Sequence, residues 1–194
     1  MSRPPEPPAP ETQENPWTTR KVETRYENPW IRVEHHDVLT PAGTSGIYGT
    51  VRFKNVAVGV VPLDGEGNTW LVGQFRYPLG RYSWEIPEGG APAGETLEQA
   101  AARELQEEVG LGARRWRKIL EMDLSNSVTD ERAVIFLAQD LFETQAAPEE
   151  TEKLCLRKVP FETFFEEVLA GAHRDSLTVA AALRVKLLML QGAL

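Results

Sequence analysis

Residues 89–111, GGAPAGETLEQAAARELQEEVGL, leave the chain little conformational choice. Gly89, Gly90 and Gly94 predict a turn, and a helix is expected from about Thr96 to Gly110, where glycine takes a positive φ cheaply. Near the end of that helix stand Arg103, Glu104, Glu107 and Glu108. At about 100° of rotation per residue, the three glutamates share roughly one quadrant of the helix surface. Carboxylates spaced three and four apart repel one another on a bare helix. Their clustering is explained if a hard divalent cation sits among them, because such ions take oxygen ligands and add substrate phosphates to their shell.

The rest of the composition narrows the setting. A length of 194 residues suits one domain with some chain to spare, and 41% hydrophobic residues suffice for a core. The net charge of −8 makes a nucleic-acid polymer or an anionic membrane a poor partner. Small phosphorylated substrates stay open, because a bound cation reverses the local field. Cys155 is the one cysteine, so no intrachain disulfide can form, which fits a reducing cytoplasm. No apolar run reaches membrane-spanning length, and the N-terminus has no signal-peptide pattern.

Read in order, residues 1–16 carry prolines at 4, 5, 7, 8, 10 and 16 and are expected to form an extended or disordered tail. A proline-rich ligand for another protein is the sharper alternative. Residues 17–38 read as strands, with Val22, Thr24 and Tyr26 alternating with charged residues and Asn28-Pro29 marking a turn. His35 and His36 are adjacent, so on a strand they point to opposite faces and are poorly placed to share a metal. A turn at 41–43 and a strand at 47–53 complete a hairpin. The apolar run 55–62 reads as a strand buried on both faces, followed by a turn at 64–67. Further strands are expected at 69–77, 82–86, 116–123, 133–138 and 154–159, with polar loops at 124–132 and 142–153. Helices are expected at 160–170 and from Asp175 or Ser176 to about 190. This order fits an α+β layered domain.

The stretch at 89–111 resembles the Nudix box, G-x5-E-x7-R-E-U-x-E-E-x-G-U with U aliphatic. The pattern falls without departure on Gly89, Glu95, Arg103, Glu104, Leu105, Glu107, Glu108, Gly110 and Leu111. A chance match in a chain of this length is on the order of one in ten million. The resemblance implies an α/β/α sandwich with a mixed β-sheet, preceded by an N-terminal β-hairpin region. Residues 17–54 would then form a dimerisation region and 55–194 the Nudix hydrolase domain. It also implies cleavage of a nucleoside diphosphate linked to another moiety X, with two or three Mg2+ ions (Mn2+ as a substitute). Glu104 and Glu108 would be the main ligands, with Glu107 sharing a metal and the backbone carbonyl near Glu88 completing the shell. Glu95 and Arg103 would form a structural salt bridge.

The flanks narrow X. Gln74-Phe75-Arg76-Tyr77, Trp84-Glu85-Ile86-Pro87 and DSLTVAAA at 175–182 resemble the ADP-ribose and nucleotide-sugar pyrophosphatase branch. That resemblance implies an intertwined homodimer whose active sites use both chains. It places Arg76 on a phosphate and Glu85 on the nucleotide or its sugar, against the plainer roles of a surface salt bridge and a structural carboxylate. It takes the general base from Glu150 or Glu152 on a mobile loop, although these and Glu149 are equally readable as solvated. One departure stands out. The proline common about sixteen residues past the box in adenine-sugar pyrophosphatases is replaced by Asn126, Ser127 and Val128, which favours a broader nucleotide-sugar range. In that loop Ser125, Asn126, Ser127 and Thr129 offer hydroxyl and amide groups to a sugar. Two competing readings are sanitation of damaged nucleoside triphosphates and a non-catalytic nucleotide-sugar-binding domain.

Overall fold

Strands β4 (Val56–Pro62) and β9 (Arg132–Glu143) pair in parallel at the centre of the larger unit, and their side chains alternate between two cores. Val61, Ala133, Ile135 and Leu137 face one core, which also holds Ile86, Phe161, Phe164, Leu177, Val185 and Leu188. Val58, Val60, Val134 and Phe136 face the other, with Ala100, Ala101, Leu105 and Val109. Period-two alternation therefore places helices on both sides of the strands, the α/β/α layering expected above. The computed structural model describes residues 14–146 and 154–194. Glu150, Glu152 and most of the proline-rich tail lie outside the described residues.

The chain divides into residues 1–52 and 53–194. In the first unit, β1 (Thr18–Glu27), β2 (Ile31–Leu39) and β3 (Ser45–Phe53, whose last residue opens the second unit) form an antiparallel sheet in the order β1-β2-β3. The Asn28-Pro29 turn forms because Asn28 Oδ1 accepts the backbone N–H groups of Trp30 and Ile31, both at 2.8 Å. His36 Nε2 lies 3.2 Å from Glu34 Oε2 and 3.3 Å from Thr50 Oγ1. The His35 ring instead lies 3.5 Å from Asp37. Adjacent strand residues thus take separate partners.

In the second unit, the four-stranded sheet runs β7-β4-β9-β8, with β7 at Glu88–Ala91 and β8 at Leu111–Asp123. A three-stranded antiparallel sheet runs β10-β5-β6, from Cys155–Pro160, Asn68–Arg76 and Arg81–Glu85. The helices are α1 (Leu97–Glu104), α2 (Phe161–Leu169) and α3 (Ser176–Leu190). Two expectations need correction. Gly89 and Gly90, read as a turn, pair with Val58 and Ala57 as part of β7, because bare glycines let neighbouring side chains approach the strand. Strands β8 and β9 are also longer than expected, so the second loop starts after Glu143 rather than at 142.

Candidate active site

Helix α1 is set by a capping box. Thr96 Oγ1 accepts the Gln99 N–H at 3.2 Å, and the Gln99 side chain accepts the Thr96 N–H at 3.0 Å. Its continuation, Leu105–Val109, is wound as a π-turn and stops at Gly110, φ 73°. This segment carries Glu107 and Glu108, and Leu105 and Val109 anchor it in the core.

Arg103 organises the box. Its Nε and Nη2 bind the two Glu95 oxygens at 3.2 and 3.1 Å, and Nη2 also donates to the Gly90 carbonyl at 2.9 Å. Nη1 donates to Glu104 at 2.7 Å and Glu107 at 3.0 Å. The Glu95–Arg103 bridge is therefore present, and the same guanidinium fixes two of the expected metal ligands. The bond to Glu95, with those to Glu104 and Glu107, raises the Arg103 pKa against the opposing effect of burial. Glu108 is 4% exposed and its Oε2 accepts the Glu88 N–H at 3.0 Å. Glu88, Glu104, Glu107 and Glu108 thus stand around the junction of β7 and α1.

Arg76 and Glu85, expected as separate substrate contacts, are bonded to each other. Arg76 Nε reaches both Glu85 oxygens at 3.1 and 2.9 Å, and Nη2 bridges Glu85 at 2.5 Å and Glu88 at 2.6 Å. Glu85 is 2% exposed. Burial pushes the Glu88 carboxyl well above the usual carboxylate range; Asp175, Glu85 and Glu108 add to the rise against the opposing charge of Arg76. Carboxylate oxygens of Glu85, Glu88 and Asp175 lie within 4.8 Å of one another.

Two residues not anticipated as site residues belong to this cleft. Asp175 caps α3 as expected, accepting the Thr178 N–H at 2.8 Å, yet it also faces Glu85 and Glu88. Glu131 closes the polar loop after β8; burial, then Asp175, raises its pKa. Capping chemistry and loop polarity explained both in the sequence, so neither had a separate signal. The cleft comprises a cavity of about 280 Å³ that reaches Ala57, Gly89 and Ser125, and one of about 580 Å³ that reaches Leu79, Arg81 and Arg174. Arg76, Glu88, Glu131, Asp175 and Ser176 line both.

Hard oxygen donors with too little positive charge beside them suit a divalent cation. Glu88 Oε2 is buried with no hydrogen-bond partner, as expected of an atom that a cation can satisfy. Nudix hydrolases generally use divalent metals.

Comparison with known proteins identifies the family. The NUDIX domain profile matches residues 53–180, and the profile of the nucleoside diphosphate sugar hydrolase N-terminal domain matches residues 17–51. The chain is similar to an ADP-ribose pyrophosphatase of Mycobacterium tuberculosis, at 36% identity over 132 residues, 66% of this chain and 64% of that protein. It is 34% identical over 160 residues to an ADP-ribose pyrophosphatase of Bacillus subtilis, covering 81% of this chain and 84% of that one. A crystal structure of an ADP compounds hydrolase superposes with a TM-score of 0.83 at 24% identity, covering 94% of this chain and all of the other, and speaks for the fold alone. With the box intact from β7 through α1 to Leu111 and the profile matching residues 53–180, the chain belongs to the Nudix hydrolase family.

Proposed function

We propose that this chain is a divalent-metal-dependent pyrophosphohydrolase that cleaves the diphosphate of ADP-ribose or a related nucleoside diphosphate sugar. Water would add at one phosphorus, the bridging P–O bond would break, and a nucleoside monophosphate and a sugar phosphate would leave. With ADP-ribose the products would be AMP and ribose 5-phosphate. The observation that carries this reading is the bond from the Glu88 N–H to the box carboxylate Glu108, next to the cleft in which Arg76 bridges Glu85 and Glu88. The similarity to two ADP-ribose pyrophosphatases points to the same substrate class.

In this reading Glu104, Glu107 and Glu108, with Glu88, hold Mg2+, for which Mn2+ substitutes. Cations bound there would neutralise the diphosphate and make water a stronger nucleophile. Arg103 holds Glu104 and Glu107 in place before substrate arrives, which spares reorganisation during the reaction. Arg76 presents its guanidinium to a phosphate oxygen, with Glu85 fixing its orientation. Glu150 or Glu152 accepts the proton of the attacking water. Glutamine at the true base would remove the acidic limb of the pH–rate profile, whereas glutamine at the other would leave it in place. The Asn126-Ser127-Val128 stretch, in place of a proline, fits a substrate range broader than ADP-ribose.

The protein is further proposed to work as a cytoplasmic homodimer. Within the first unit Val22, Tyr26, Trp30 and Ile47 are exposed, as expected of strands that meet a second copy. No described helix is long and apolar enough to cross a membrane.

The test is product release from ADP-ribose, ADP-glucose, UDP-glucose, GDP-mannose and damaged nucleoside triphosphates, with Mg2+ and with a chelator. Turnover of the nucleotide sugars that stops on chelation is expected. Turnover of triphosphates alone would overturn the substrate class, and tight binding without turnover would overturn the catalytic reading.

A further inference from the structure

The larger cavity of the cleft has a basic side that the proposed diphosphate chemistry leaves unused. Arg81 and Arg174 both line it, with the hydroxyl-bearing Ser83 and Ser176. Among the described residues neither guanidinium makes a hydrogen bond or an ion pair. That is unexpected in a cavity also lined by Glu85, Glu88, Glu131 and Asp175. Three of these four acids are drawn elsewhere: Glu85 and Glu88 bind Arg76, and Asp175 caps α3, while Glu131 pairs with neither arginine.

Both arginines are carried by anchored backbone. Arg81 opens β6 directly opposite Arg76 in the β5–β6 ladder. Like charges facing each other across two strands cost stability. Arg76 turns away to Glu85 and Glu88, leaving Arg81 with no ion pair among the described residues. Arg174 lies between buried His173 and the α3 cap Asp175. The His173 ring is fixed on both nitrogens, at 2.9 Å from the Trp84 carbonyl and 3.0 Å from Glu167 Oε2. His173 thus ties the segment bearing Arg174 to the strand bearing Arg81. Two arginines on tethered segments, unpaired among the described residues and lining one cavity of about 580 Å³, are suited to receive an anion.

We infer that Arg81 and Arg174 recognise an acidic group on the X half of the substrate, so that this enzyme prefers nucleoside diphosphate sugars whose sugar carries its own phosphate or carboxylate. The inference rests on the pyrophosphohydrolase reading for the orientation of the substrate. The diphosphate occupies the box side of the cleft at Gly89 and Glu88, and X extends toward Arg81 and Arg174. A planar fork on each arginine can hold a phosphate monoester or a carboxylate through paired N–H donors, and the serine hydroxyls add neutral donors.

Matched substrate pairs test this. ADP-ribose against ADP-ribose 1″-phosphate adds a phosphate to X, and UDP-glucose against UDP-glucuronate adds a carboxylate. Dissociation constants are measured by calorimetry in Mg2+ on the Glu108→Gln protein, and kcat/KM on the unmodified protein. The acidic member of at least one pair is expected to bind about ten- to a hundredfold more tightly. Preference in the first pair alone assigns the site to phosphate, and in the second alone to carboxylate. The acidic-to-neutral ratio should collapse toward one in the Arg81→Gln/Arg174→Gln double variant and be partly restored by Arg81→Lys/Arg174→Lys. Equal binding within both pairs, or a ratio unchanged in the double variant, would overturn the inference. Absence of turnover by the unmodified protein on all four compounds would overturn the pyrophosphohydrolase reading instead, since the binding ratios are read without turnover.

Discussion

The carboxyl group of Glu104 occupies the space that a side chain at position 89 would need. A Cβ built on Gly89 would overlap Glu104 Cδ and both of its oxygens. The first glycine of the box is therefore a seat for the first metal-ligand candidate of α1. Gly89→Ala should displace that carboxylate without breaking the β4–β7 ladder, because the obstructed group is the end of a flexible side chain. Stability should change by less than about 1 kcal/mol, while turnover falls about a hundredfold from misplacement alone. Thermal denaturation beside steady-state kinetics checks both. Activity within a few fold of the unmodified protein would mean that Glu104 need not stand where it does.

Glu108 offers a cleaner test of the box. Its Oε2 accepts the Glu88 N–H, and glutamine at 108 keeps an acceptor oxygen of the same reach while removing the charge. Glu108→Gln should fold normally and lose at least about a thousandfold of its metal-dependent turnover. A circular dichroism melt and an activity titration with Mg2+ decide it. Retained activity would remove Glu108 from the proposed chemistry.

Arg76 combines structural and functional roles. It is bonded to buried Glu85 and to Glu88, so Arg76→Ala leaves two enclosed carboxylates without their cation. Breaking such a pair costs about 3 kcal/mol. The raised Glu88 pKa gives the sign of the pH effect. A carboxyl raised on folding favours the folded state most below its unfolded value and loses that benefit as pH rises through the folded one. Removing Arg76 takes away a charge that opposes the rise, so the variant should lose most stability at neutral pH and recover toward pH 5. Urea unfolding at pH 7 and pH 5 measures this. An equal loss at both values would show that the cost is packing rather than charge.

These sites differ in how readily the sequence reveals them. The box announces itself through spacing, because Glu104, Glu107, Glu108 and Arg103 sit within two turns and their geometry is local. The apolar run at 55–62 foretold a doubly buried β4, and the Asp175 cap with its following apolar periodicity foretold α3. Glu131 and Asp175 were not legible as cleft residues, because they are brought to Glu88 by tertiary packing from positions more than 40 residues further along the chain. The Arg76–Glu85 bond is set by the β5–β6 register, which no single residue encodes. Nor does spacing reveal the π-wound end of the box helix, since it shifts the backbone by less than a turn and keeps the same residues buried.

Away from the cleft, Asp64 provides the pH test of the fold itself. Burial pushes its carboxyl up, but this is outweighed by the Asn68 backbone N–H at 2.8 Å, Lys158 at 2.9 Å, the Asn68 side chain and the Glu66 N–H at 3.0 Å. The outcome is a fall from 3.8 to about 2. Each unit is worth about 1.4 kcal/mol, so the ionised form contributes about 2 kcal/mol to folding. A carboxyl lowered on folding gives stability that is complete above its unfolded value and disappears as pH falls through the folded one. The window is therefore from 3.8 down to about 2. Asp64→Asn should be about 2 kcal/mol less stable at pH 7, with the difference shrinking steadily below pH 4. Denaturant titrations of both proteins at pH 7, 4 and 3 follow it. A difference that stays constant down to pH 3 would place the role of Asp64 in turn geometry, where an asparagine oxygen would fail for reasons other than charge.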